Sequence, residues 1–245
     1  MGNFLLASQQ QAGGSGFSLG NYSPTWIFAL DNTSIDPAAT SIGDDISTWN
    51  DVSGNGVDFT QSGSNRPDLD IVSSEREVNF DSGSTEWLDA PDNSVGEIVL
   101  GTDERVIIFK EGNVTATNGA FMSKAVSTSS QRNFQIWRSG DANNTLVRFG
   151  GDSDTLGTSD GVPSGVTHRV WVIEVGTTQW RAWVNGVQVQ SGRALNTSYA
   201  DHSGQSMNIG GRTDGSFTLN GSMAFAAMAV GTVTQTDLDE IFAAL

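Results

Sequence analysis

The chain has 245 residues, a formal net charge of −16, only 12 lysines and arginines, and no cysteine. That surface repels phosphate backbones and anionic bilayers, so neither nucleic acid nor a membrane is an expected partner. Disulfides, thiolate catalysis and cysteine-ligated zinc are excluded outright. Twenty-nine glycines, 12 phenylalanines and 7 tryptophans suit many short strands joined by tight turns.

Residues 1–20 predict a flexible arm, and residues 21–245 one large β domain. In the arm, Phe4, Leu5 and Leu6 form an apolar anchor, followed by a Gly/Ser tether through Gly16. A plain tail and a docking arm are nearly equal readings of this segment. No basic n-region precedes the apolar run, which is too short for a secretory signal, so the chain is expected to stay in the cytoplasm, to leave it inside an assembly, or to have been expressed without its leader.

Trp26 to Asp31 is a dense apolar strand. Trp49 then runs into the Asp51-Val52-Ser53-Gly54-Asn55-Gly56 turn, where the glycines take positive φ at little cost. Val57–Thr60, Glu77–Phe80 and Trp87–Ala90 follow as strands. Arg105–Lys110 barely alternates, which predicts a central strand covered on both faces. Ala120–Lys124, Phe134–Ser139 and Leu146–Gly150 are further strands. His168–Val175 and Gln179–Val184 lead to Asn185-Gly186, a type I′ hairpin signal, and Val187–Gln190 returns. Met207–Gly210 and Gly221–Val230 close the β region. Thr234 and Asp237 then read as a capping box, with Leu238, Ile241, Phe242 and Leu245 on one helix face.

The order of these pieces resembles laminin-G-like domains of the concanavalin A-like lectin/glucanase superfamily. The carriers are Trp26–Asp31, the Trp49–Gly56 turn, Val78–Asp81 with Trp87-Leu88, His168-Arg169-Val170 with Trp183–Gly186, and Ile209-Gly210-Gly211 with Asn220–Ala224. Phe225 departs from the pattern, which often has an acidic residue there. The resemblance implies an all-β, two-sheet antiparallel jelly-roll sandwich with a short C-terminal helix. Domains of this kind are frequent in bacteriophage virion proteins and in secreted polysaccharide-binding proteins.

Chemistry is sparse in the sequence. Glycosidases on this fold use a Glu-x-Asp-x-Glu strand that lines up its carboxylates. Glu75-Arg76-Glu77 has the alternation but lacks the Asp and the third carboxylate, and reads as a solvated strand edge. His168 starts a strand and suits a hydrogen-bonded structural role. His202 beside Asp201 suits a surface loop. Neither histidine has zinc-site spacing. Asp152, Asp154 and Asp160 form the best oxygen-ligand group, with calcium as the candidate ion. Among the tryptophans, Trp26, Trp49, Trp171 and Trp180 read as core. Trp87, Trp137 and Trp183 alternate with polar neighbours and are the glycan-stacking candidates.

The reading this supports first is a non-enzymatic structural protein of a phage virion, a capsid decoration or a tail or fibre component. It docks through Phe4, Leu5 and Leu6 onto capsid or tail proteins or onto its own copies, with glycan adhesion as an added role. The alternative is a secreted, extracellular carbohydrate-binding module. A glycosidase or lyase with an unrecognised site comes third.

Overall fold

The computed structural model describes residues 25–90, 95–114, 118–125, 132–138, 145–149, 156–158, 168–195, 205–212 and 214–245. The docking-arm residues Phe4, Leu5 and Leu6 lie outside them, as do Asp152, Asp154, Asp160, Asp201 and His202.

The strands in chain order are β1 (Thr25–Leu30), β2 (Thr48–Trp49), β3 (Phe59–Thr60), β4 (Asp68–Val72), β5 (Glu75–Phe80), β6 (Leu88–Asp89), β7 (Arg105–Glu111) and β8 (Gly119–Ala125). They continue with β9 (Arg132–Arg138), β10 (Thr145–Phe149), β11 (Leu156–Thr158), β12 (Arg169–Val175), β13 (Gln179–Val184), β14 (Val187–Ala194), β15 (Asn208–Ile209) and β16 (Gly221–Val230), and helix α1 (Gln235–Ala244) ends the chain. The first sheet runs β14-β13-β12-β7-β16-β5-β4, with β1 also paired to β16, and the second runs β11-β10-β9-β8-β15-β6-β3-β2. The pairings are antiparallel, so the architecture is the expected two-sheet jelly-roll sandwich with one short C-terminal helix.

Period-two alternation puts one row of each strand between the sheets. Phe28, Phe80, Phe109, Trp171 and Trp180 enter from the first sheet, and Trp49, Phe59, Phe121, Phe134 and Phe149 from the second, all fully buried. Each such ring contributes about 1.5–3 kcal/mol on full burial. Aromatic contacts stitch the sheets together: Phe109 stacks on Phe121 at 5.0 Å between centroids, and Phe149 meets Trp180 edge-on at 5.5 Å.

β7 is central, as its unbroken apolar run predicts. Ile107 and Phe109 face the inter-sheet core, while Val106 and Ile108 belong to a second cluster with Val172, Ala227 and the helix residues Leu238 and Ile241. Helix α1 therefore covers part of the outer face of the first sheet. Its capping box is present, with the Thr234 side chain accepting from the Asp237 N–H and the Asp237 carboxylate accepting from the Thr234 N–H. The hairpin at Asn185 (φ 47°) and Gly186 (φ 81°) has the expected positive φ at both turn positions.

The Trp49–Gly56 turn is tied by one carboxylate. Asp51 Oδ1 accepts from the N–H groups of Ala29 and Ser53, both at 2.9 Å, and Oδ2 accepts from the N–H of Val57 at 3.1 Å.

The structure departs from the sequence pattern at one edge of the first sheet. Strand β4 is absent from the strands expected from sequence, because two Asp residues interrupt it, yet it pairs with β5 along its whole length. The β5 strand consequently has neighbours on both sides and begins at Glu75, so Glu75-Arg76-Glu77 is no solvated edge, and Glu77 is fully buried.

Candidate functional site

Residues directly opposed in an antiparallel pair share a face of the sheet. In the second sheet, Leu88, Ile209, Met122, Ile136 and Val147 form a register row that points into the core. The adjacent row points away from the core. It runs Thr48, Thr60, Asp89, Asn208, Ser123, Gln135 and Arg148, one polar side chain from each of β2, β3, β6, β15, β8, β9 and β10.

The centre of this row is shielded. Asn208 and Ser123 are wholly buried and Gln135 is 2% exposed, whereas Asp89 and Arg148 are half-buried and Thr60 is open. Asn208 donates from Nδ2 to Asp89 Oδ1, and Ser123 donates from Oγ to the Gly211 carbonyl at 2.8 Å. The amide nitrogen of Gln135 makes no hydrogen bond, an unmatched buried donor in the middle of the row. Burial pushes the Asp89 carboxyl up from its ordinary value, against the hydrogen bond from Asn208.

Trp137 stands on β9 two residues beyond Gln135, with the Arg148 guanidinium 5.0 Å from its ring centroid. Trp87 immediately precedes β6. Because β6 and β9 run in opposite directions, both tryptophans lie toward the same side of the polar row. Trp87 is half-buried and Trp137 is 6% exposed. The third glycan candidate, Trp183, is also 6% exposed but sits on the other sheet, in the cluster under helix α1, with Arg181 5.3 Å from its ring centroid. The structure thus brings Trp87 and Trp137 to one face and places Trp183 away from it. Trp49, Trp171 and Trp180 are core, as their strand contexts indicate, and Trp26 is half-buried against the helix-side cluster.

Three other polar groups stand out. On the outer face of the first sheet, His168 Nε2 lies 2.6 Å from Glu77 Oε1, Ser222 Oγ donates to Glu77 Oε2, and Lys110 Nζ donates to Glu75 at 2.6 and 2.9 Å. Between the sheets, Glu111 accepts from Arg138, from Arg169 at 3.3 Å and from the Trp171 indole at 3.1 Å. At the β4 side, burial and the nearby Asp68, Asp81 and Asp45 push the Glu86 carboxyl up to about 7.

The sequence pattern shows which residues of each strand share a face, but the polar row has a single member on each of seven strands and depends on their register. That is why Asp89, Asn208, Ser123, Gln135 and Arg148 escape a sequence reading.

No protein-family model matches the sequence, and no curated protein matches it significantly. Solved structures do match in fold. The binding domain of Paraclostridial Mosquitocidal Protein 1 aligns at TM-score 0.62 and 12% identity, over 89% of this chain and 52% of that one. A GH54 α-L-arabinofuranosidase aligns at TM-score 0.62 and 12% identity, over 89% of this chain and 63% of that one. Domain 4 of AbnA, a GH43 extracellular arabinanase from Geobacillus stearothermophilus solved with arabinotriose, aligns at TM-score 0.58 and 14% identity, over 90% of this chain and 99% of that one. The chain thus spans about half to two thirds of the first two and nearly all of the third. These are β-sandwich folds of the carbohydrate-binding and glycosidase type. The expectation that this chain is no enzyme does not stand, because the fold it shares is carried by glycoside hydrolases. A missing Glu-x-Asp-x-Glu strand is no ground for excluding catalysis on such a scaffold.

Proposed function

We propose that the chain is a carbohydrate-binding domain of the concanavalin A-like sandwich type, and that it binds glycan on the outer face of the second sheet. The observation that carries this reading is the in-register polar row from Asp89 to Arg148, flanked by Trp137 and Trp87. Sugar hydroxyls need closely spaced donors and acceptors. The half-buried Asp89 accepts and Arg148 donates, while the buried Asn208 donates to Asp89 and orients its carboxyl. An indole face supplies the apolar platform for the C–H side of a sugar ring.

The fold neighbours support this over the virion role that the resemblance implies. One of them is a domain solved with arabinotriose, and another is described as a binding domain. An extracellular setting accompanies this reading. Attachment through Phe4, Leu5 and Leu6 is a separate proposal, tested by deleting residues 1–16 and measuring mass in solution.

Catalysis is a second reading, carried by Asp89. It is the row's one carboxyl among the described residues, and its raised pKa suits a general acid.

A glycan array followed by calorimetry on the best oligosaccharide tests the proposal. Trp137→Ala and Arg148→Ala should each weaken binding at least tenfold while the protein stays folded. Binding that survives both substitutions, or no glycan binding at all, defeats it. Release of reducing ends by the wild type, lost in Asp89→Asn, would establish the second reading instead.

A further inference from the structure

We infer that Glu75, Glu77 and His168 form a binding site for a zinc-class divalent cation on the outer face of the first sheet. Their ligand atoms all lie within 4.8 Å of one another. Alternation along β5 puts both carboxylates on one face, and His168 arrives from the start of β12, on the far side of β7 and β16.

Gly112 is what lets the imidazole and the buried carboxylate meet across the two intervening strands. A Cβ at that position would sit 2.1 Å from Glu77 Oε2 and 2.3 Å from Ser222 Oγ. The Ser222 hydroxyl holds Oε2 and leaves Oε1 aimed at His168 Nε2, 2.6 Å away. A hydroxyl that fixes one oxygen while the other is presented is how ligating carboxylates are oriented. The rim is accessible, since the side chains of His168 and Glu75 are 22% and 25% exposed.

The chemistry of the donor set selects the ion. One imidazole with two carboxylates suits zinc, while calcium asks for six to eight oxygens. At zinc distances the donors must spread to roughly 3.3 Å apart, which opens the His168–Glu77 hydrogen bond and leaves the imidazole proton on Nδ1. Lys110 is the built-in competitor. Its ammonium holds both oxygens of Glu75 at 2.6 and 2.9 Å, so a cation must displace it.

Calorimetry with zinc chloride on the full chain tests the site. Wild type should take up one zinc. His168→Gln and Glu75→Gln should each weaken binding at least tenfold. Lys110→Met, which removes the competing ammonium, should tighten it. His202→Gln, which removes the only other histidine, should change nothing. Calcium and magnesium should not compete. Absence of stoichiometric uptake by wild type, wild-type affinity in His168→Gln, or loss of uptake in His202→Gln would each overturn the assignment. Far-UV spectra of the variants confirm folding, and Glu77 is left intact because its removal would orphan Ser222 in the buried cluster.

Discussion

Arg138 on the second sheet reaches across the sandwich to Glu111 on the first, and both side chains are 1% exposed. Glu111 also receives Arg169 and the Trp171 indole, so two guanidinium groups share a single carboxylate inside the molecule. The geometry clamps the two sheets at the end of β7 and β9. The first prediction concerns this clamp. Glu111→Gln leaves buried cations without a counter-charge, and removing one partner of a buried pair costs about 3–5 kcal/mol. Urea denaturation should show that loss. A change below about 1 kcal/mol would mean that water already solvates the arginines.

Gly112 supplies the second prediction. Its backbone is not in the left-handed region, so only space forbids a side chain there. Gly112→Ala drives a methyl group into Glu77 and Ser222, and overpacking of this kind costs about 1–3 kcal/mol. A thermal midpoint equal to wild type would show that the Glu77 carboxylate can move aside without penalty.

The third prediction is a pH dependence set by Glu86. Its carboxyl is raised from an ordinary value of 4.5 to about 7, mainly by burial and then by the neighbouring aspartates. The native state therefore holds a proton that the unfolded state has lost between those values. Stability from this group is full below pH 4.5 and falls away as pH rises through about 7. Asp68, raised by burial and by Asp45 and Asp81, works in the same direction. Asp36 and Asp214 are lowered by their hydrogen bonds and charges in spite of burial, so what they contribute is lost only as pH falls below their ordinary 3.8. Glu86→Gln should flatten the decline of the thermal midpoint between pH 5 and 7.5. Parallel wild-type and Glu86→Gln curves across that window would refute the assignment.

The fourth prediction separates the two faces of the molecule. Trp137→Ala should impair glycan binding and leave zinc uptake unchanged, while His168→Gln should do the reverse. The two sites lie on outer faces of different sheets, and residues without shared partners act independently. Loss of both activities in either variant would point to unfolding or to one coupled site.

Helix α1 gives the fifth. Thr234 accepts from the Asp237 N–H, and Asp237 returns a bond to the Thr234 N–H at 2.7 Å. Thr234→Ala should cost about 1 kcal/mol. A thermal midpoint unchanged from wild type would mean that the burial of Leu238 and Ile241 alone holds the helix.

Much of the fold is legible from local pattern. The alternation of Phe134, Ile136 and their neighbours, the run Val106–Phe109, the Asn185-Gly186 turn and the Thr234 cap each act through residues close in sequence, so propensity and periodicity reveal them. Those same signals place Trp49, Trp171 and Trp180 in the core, but they also put the half-buried Trp26 there and read the buried Trp137 and Trp183 as surface residues, because what covers the outer faces of the sheets is not encoded in strand alternation. Strand β4 is hidden because pairing with β5 overrides the turn preference of its aspartates. The sites are decided at another level. Glu77 and His168 are 91 residues apart in sequence and meet only because β7 and β16 lie between their strands with a glycine at the crossing point. The row from Asp89 to Arg148 exists only through the register of the second sheet, since a slip of one residue would turn each member toward the core. Alternation within a strand is encoded locally, by the need to bury apolar side chains on one face. Register and strand order are settled by packing across the whole sandwich, and the clusters of polar groups are consequences of that packing.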